Sequence, residues 1–597
     1  MLKYGINIIV GRDISTRRKC DKEKAMEKLI LSNKGVLPNT DITLSLLKVF
    51  EEHKENTTFV FEEGDYYFSP KEELKLDYNL SNTTYLPLRT LGAFMKNMKN
   101  CAIEGNGARF WFEGHMQPLT LDHCENISVK DLTFNWKKPL VAEGIVKAVT
   151  DEYVDLYVSS ESFPHRLNGD QIEFDVGAGE WYTLFQSPII FEPHFRTVRR
   201  NTADCFWTKS VGATDEKDVY RFHLHRPTNT EIGDIVVLRH NERYHAGIFT
   251  EKCKDITFDN ITVHCCGGLG CLSQFCENMT YSRMYFLPDR SLGRFVTNGR
   301  DDGMHITCNK GKVEITDCSF VGLMDDPINV HGCAITGDEL KDEKTIICHY
   351  KHIQAMGFEY WAEEGDEIAF IDRPNMSRVA TAKAKSYKVL SRDTVLVEFK
   401  ETLSDEIVAL INAGRLALDN LTNTCEFVCK NNRFGSCRAR GILVSTPKTT
   451  VIENNYFESS GAAILVPGDA NNWYESGEVG DLTIRNNVFT HACLTSIYEF
   501  CQGMISICPT IPEPDRDKPF HKNIRIIGNT FDSSDTPVLY GYSCKGLTFK
   551  DNLIFKSPAY ERNEPKKARI NLRYCQDVEI ENNAWIGNFS SEILKEE

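Results

Sequence analysis

No stretch of this chain stays apolar for the roughly 18–20 residues that a helix needs to cross a bilayer. A membrane-spanning helix is therefore excluded, and no membrane partner is expected. Residues 1–34 lack the order of charged, apolar and small residues that marks a secretory leader. The patch Ile6–Val10 is short and charges follow it at once. A cytoplasmic location is the expectation, with a secreted or periplasmic one only for a trimmed chain. Positive charge is scarce: 69 Lys and Arg face 85 Asp and Glu, a formal charge of −16. A surface so acidic repels polyanions, so nucleic acid is not an expected partner. No phosphate-cradling Gly-rich loop, nucleophile elbow or metalloprotease motif occurs, and no cofactor is expected. Cys265, Cys266, Cys271 and Cys276 lack the two-residue gap of zinc knuckles, so no metal is expected. These and most of the 21 cysteines read as reduced, packed thiols, and His264 as packed beside them.

What is present is a repeat. An alternating strand, then Asn or Asp, then an apolar anchor recurs with anchors at Phe110, Phe134, Val263, Phe286, Phe320, Phe434, Phe457, Phe489, Phe531, Ile554 and Trp585. Several neighbouring anchors lie 23 residues apart, others 23 plus a loop. A coil of fixed length with loops of variable length predicts a parallel β-solenoid. Asn tolerates the left-handed backbone of a bend, and stacked asparagines form amide ladders. The recurrent pairs at 431–432, 454–455, 486–487 and 582–583 suit that place. The fold expected is an all-β, right-handed parallel β-helix over 91–136, 246–333 and 421–597. Two long gaps between anchors predict inserted β-rich modules at 137–245 and 334–420, each large enough for a small barrel or sandwich. Residues 1–90 predict a helical cap, with helices over 21–34 and 41–55 and a strand after them. Such a cap would shield the open solenoid edge.

Two acidic motifs fall in consecutive coils. Arg300, Asp301, Asp302 and His305 form the first; Asp325, Asp326, Asn329 and His331 form the second. If a surplus loop precedes Asp302, Asp302 and Asp325 occupy the same position in their coils and stack, with Asp326 beside them. Arg438 and Arg440 fall in the next coil. Stacked acids raise one another's pKa, which a purely structural role does not require. A calcium-like site and a solvated acidic ladder are the alternatives. Close carboxylates in different protonation states are what glycoside hydrolysis uses, one donating to the leaving oxygen and another activating water.

An Asp followed one coil later by an Asp pair resembles the β-helix glycosidases that include polygalacturonases. That resemblance implies Asp325 as general acid and Asp302 with Asp326 as base. The histidine is displaced: His331 follows Asp326 by five residues rather than by a coil. The segments RDDGMH, LMDDPINVHG, RARGILVSTPKTTVIENNYF and GDANNWYESG resemble glycoside hydrolase family 110 more closely. Membership implies inverting hydrolysis of terminal α-1,3-linked galactose in blood group B-type or linear glycans. The partner is then an α-galactosyl oligosaccharide or glycoconjugate, and a homo-oligomer is compatible with the sequence. Trp473 is a candidate to stack on galactose and Glu475 to accept from its hydroxyls. Asp301, His305, Asn329 and His331 border the acids as sugar-binding or pKa-tuning groups. Arg300, Arg438 and Arg440 either contact the sugar or only neutralise the acids. Another β-helix glycosidase, a polysaccharide lyase and a non-catalytic glycan-binding β-helix are the competing readings.

Overall fold

The computed structural model describes residues 26–596 except 185–187, 195–196, 201, 203–207, 241, 297–298, 300, 436, 491–501, 535–536 and 560–567. Strands, parallel except for two in the smaller sheet, stack into two long sheets, of 21 and 14 strands among the described residues, that wrap one apolar core. This is the parallel β-helix that the repeat predicts. All eleven anchors lie in one in-register column, each paired with the next from Phe110 to Trp585. From Phe286 to Phe531 the rings stack face to face, with centroids 4.5–5.3 Å apart. That is close to the inter-strand spacing of about 4.8 Å, so ring contact repeats with every rung.

The asparagine pairs divide the work of the bend. The first of each pair, Asn431, Asn454, Asn486 and Asn582, has φ between 52° and 60°. The second points inward and forms a ladder. Asn432, Asn455, Asn487, Asn529 and Asn552 each donate from Nδ2 to the next Oδ1 at 2.9–3.1 Å, ending on Asn583. Asn487 also donates to the Ile452 carbonyl and accepts the Asn455 backbone N–H. Asn487→Leu is therefore expected to cost about 3 kcal/mol, because it strands buried donors and acceptors on both sides. Denaturant unfolding measures this, and an unchanged midpoint would show that the ladder is not stabilising.

At the N-terminal end, Thr43–Glu52 is the expected second helix. It buries Leu46, Val49 and Phe50, and the Phe50 ring lies 4.9 Å from that of Phe59. The helix predicted over 21–34 is not found. Residues 21–25 lie outside the described residues, Glu27–Ile30 is a strand and Leu31–Lys34 a 3-10 turn. The strand pairs in parallel with Thr57–Val60 and adds backbone bonds to the end of the stack, which outweighs helix propensity. The segment expected as a single strand after the helix is two, Thr57–Val60 and Asp65–Phe68.

Between the rungs at Glu125–Trp136 and Ile248–Glu251 the chain builds a six-stranded antiparallel sheet with its own apolar cluster. Between Ile328–Cys333 and Cys425–Lys430 it builds a closed six-stranded barrel around Ile346, Trp361, Phe370 and Phe399. Cys265, Cys266, Cys271 and Cys276 are buried and form no disulfide among the described residues. His264 is only half-buried, with Nδ1 bonded to the Leu287 carbonyl at 2.8 Å.

Candidate active site

The acidic motifs meet where the strands Met304–Thr307 and Ile328–Cys333 begin. Met304 pairs with Ile328, and the Gly303 N–H donates to the Asp326 carbonyl. Asp302 thus lies level with Asp326, and Asp301 with Asp325. This corrects the expected Asp302–Asp325 stack by one position, because the loop before Asp302 holds one residue fewer than the anchor spacing implies. Glycine at 303 is required here: a Cβ would lie 2.6 Å from the Pro327 carbonyl oxygen and 2.8 Å from the Phe320 ring.

Each carboxylate has a different set of neighbours. Arg243 spans two of them, with Nε 2.8 Å from Asp301 Oδ1 and Nη2 2.6 Å from Asp325 Oδ2. Asp301 is almost wholly buried, so it holds Arg243 in place instead of presenting itself to a sugar as expected. Asp325 keeps 17% of its side chain exposed, more than Asp302 or Asp326. Burial alone would raise its pKa, but Arg243 and then Arg438, Arg440 and Arg239 pull it down to about 2. Arg438 stands 3.9 Å from Asp325 Oδ1. Asp326 is gripped by one residue: the Arg440 backbone N–H reaches Oδ1 at 2.9 Å and Nη2 reaches Oδ2 at 2.8 Å. Burial and then the charges of Asp325 and Asp302 push its pKa up, against Arg440. Asp302 is raised by burial and then by Asp325, against Arg243. Its Oδ2 is 2.8 Å from His305 Nδ1.

His305 is fully buried, and both its nitrogens are engaged, on Asp302 and on His331 Nε2 at 2.8 Å. It has no surface to offer a sugar, which leaves the pKa-tuning role of the two expected for it. His331 Nδ1 lies 2.6 Å from the Gly332 carbonyl, and its Nε2 is 3.9 Å from Glu475 Oε1. Glu475 also accepts hydrogen bonds from the side-chain amides of Asn329 and Asn82. Those amides donate at 3.2 and 2.6 Å. Asn329 Oδ1 is buried and has no partner among the described residues, which suits it to a ligand hydroxyl.

The segment GDANNWYESG folds over this face. The Asp469 carboxylate collects the backbone N–H groups of Asn471, Asn472 and Trp473 at 2.6–2.9 Å. The strand Glu475–Ser476 then pairs antiparallel with Gly332–Cys333, which delivers Glu475 to the histidines. Trp473 is 44% exposed and its ring rests on His352 at 4.4 Å, leaving an indole face at the rim. Arg300 lies outside the described residues.

Arg243 and Asn82 belong to this cluster and were not expected from the sequence. Both come from segments outside the repeat, so no register points to them.

Residues 345–409, within the barrel module, match the family model described as GLAA-B beta-barrel domain II. Over most of its length the chain is similar to alpha-1,3-galactosidase B of Bacteroides thetaiotaomicron, at 37% identity covering 96% of this chain and 94% of that protein. A second relative, alpha-1,3-galactosidase B of Phocaeicola vulgatus, is 32% identical over 93% of this chain and 94% of its own. Among solved structures, a hyperthermoactive exopolygalacturonase from Thermotoga maritima aligns over 94% of this chain and 92% of that chain, with 9% identity and a TM-score of 0.39.

Proposed function

Because this chain belongs to the alpha-1,3-galactosidase family and is a glycoside hydrolase, we propose that it removes terminal α-1,3-linked galactose from linear or blood group B-type glycans with inversion, through Asp302, Asp325 and Asp326. The observation that carries this reading is the unequal surroundings of three adjoining carboxylates, with Arg243 and Arg438 around Asp325, Arg440 on Asp326 and His305 on Asp302. Asp325 is surrounded by guanidinium groups and ionised, while Asp302 is buried against a histidine and favours its protonated form. Such a division supplies an acid and a base at one pH. Asp302 then gives its proton to the departing glycosidic oxygen as the C1–O bond breaks. Water attacks C1 from the other side and loses a proton to Asp325, with Asp326 and Arg440 fixing the wall beside it. Proton exchange with solvent restores both groups. Trp473 offers an apolar face to the galactose ring, and Asn329 and Glu475 take its hydroxyls.

The resemblance to polygalacturonases implies the opposite roles, with Asp325 as donor. A substrate whose leaving group needs no protonation separates the two: a dinitrophenyl α-galactoside spares whichever variant, Asp302→Asn or Asp325→Asn, has lost the acid. Inversion is tested by following galactose released from α-1,3-galactobiose and the fucosylated B trisaccharide by NMR. β-Galactose is expected first. α-Galactose appearing first overturns the inverting scheme, and no release from either substrate overturns the substrate assignment.

A further inference from the structure

Three consecutive hydrogen bonds behind Asp302 fix where one proton lies once both imidazoles are neutral. His331 Nδ1 is 2.6 Å from the Gly332 carbonyl, which can only accept, so Nδ1 carries hydrogen. A neutral imidazole has one such hydrogen, so His331 Nε2 is an acceptor. It faces His305 Nε2 at 2.8 Å, which must therefore donate. His305 has then spent its own hydrogen, and its Nδ1 accepts from Asp302 Oδ2 at 2.8 Å. The Asp302 oxygen has to bring the hydrogen of that bond.

We infer that His305 and His331 are positioning residues that keep a proton on Asp302 in the resting enzyme. The inference rests on the three-aspartate reading above and deepens it. The other way to fill the three bonds is an imidazolium beside an Asp302 carboxylate. The groups facing the two rings are Glu475, Asp325 and Asp419, which favour that cation, and Arg243, which opposes it. Burial decides: it holds His305 at about 4 and lowers His331 as well, so both rings stay neutral. The rings thus act in one direction. They offer Asp302 an acceptor and no donor, which stabilises the carboxylic acid over the carboxylate.

His331→Leu removes the acceptor at His305 Nε2. His305 is then free to move its hydrogen to Nδ1 and donate to an ionised Asp302, so the Asp302 pKa falls. The limb of the kcat/KM profile that requires protonated Asp302 is expected to move to lower pH by about one unit or more. KM at the acid end is expected to stay within about threefold of wild type. His331→Gln keeps an amide oxygen as acceptor and is expected to restore the limb. Infrared spectroscopy supplies a second reading that needs no turnover. In infrared difference spectra at neutral pH, a protonated carboxyl C=O band is expected to be lost between the wild type and Asp302→Asn, and not between the wild type and Asp325→Asn. An unmoved limb in His331→Leu, or a band unaffected by Asp302→Asn, overturns the inference. If His331→Leu does not fold, the band decides alone. A wild type inert on galactosides but showing the band sinks the proposed function and leaves the proton placement intact; an active enzyme without the band does the reverse.

Discussion

Asp325→Asn is expected to lower kcat on an α-1,3-galactoside by about a thousandfold or more, since a positioned acid or base supplies roughly 10²–10⁴ in rate. Stability is expected to fall only modestly: a carboxyl held down at about 2 favours the anion in the folded state, and the substitution gives that up. The amide keeps an acceptor for Arg243, which still has Asp301 at 2.8 Å. Removing one charge also relieves the repulsion that Asp325 exerts on Asp302 and Asp326. Galactose release and a thermal midpoint measured on the same preparation check both halves. Near-normal turnover would remove Asp325 from the chemistry, and a collapsed midpoint would show it to be a structural charge.

Arg243→Met is expected to be the most damaging single change in the fold and site together. It leaves Asp301, almost wholly buried, and Asp325 without their shared cation. Breaking a buried pair by removing one partner costs about 3–5 kcal/mol. The chemistry changes in a defined direction as well. Arg243 is the strongest influence holding the Asp325 pKa down to about 2. Without it that pKa rises, and a base with a higher pKa loses activity at a higher pH as the solution is acidified. The acid limb of the rate profile should therefore move upward, with a lower urea midpoint. A variant with unchanged midpoint and unchanged limb would show that Arg243 neither supports nor tunes the cluster.

The sequence exposed the fold more fully than the site because the fold repeats. Each anchor from Phe110 to Trp585 falls at the same position of its coil, so spacing alone places it in the column. A helical pattern at 21–34 misled, because local propensity says nothing about a backbone edge that needs a partner. The one-position error at Asp302 has the same origin: a loop of unknown length breaks the count between Phe286 and Phe320, and only the strand pairing restores it. Asp325, Asp326 and Arg440 were legible since they follow anchors without such a loop. Glu475 and Trp473 came from resemblance, lying on a fold-back outside the coil register. Asn82 and Arg243 carried no signal. One precedes the repeat and the other ends an insert, and each reaches the acids through a contact more than 80 residues away in sequence, Asn82 with Glu475 and Arg243 with Asp325.

The column of stacked rings bears on how such a molecule wears out. In the column each ring stacks only on the rings above and below it, so loss of the column's order from a terminus advances one layer at a time. The strands that carry Asp302 and Asp326 sit near the middle of the 14-strand sheet, flanked by several layers on either side. Those outer layers are sacrificial for the aspartates: proteolytic trimming or thermal fraying has to consume them in turn before Asp302 and Asp326 are reached.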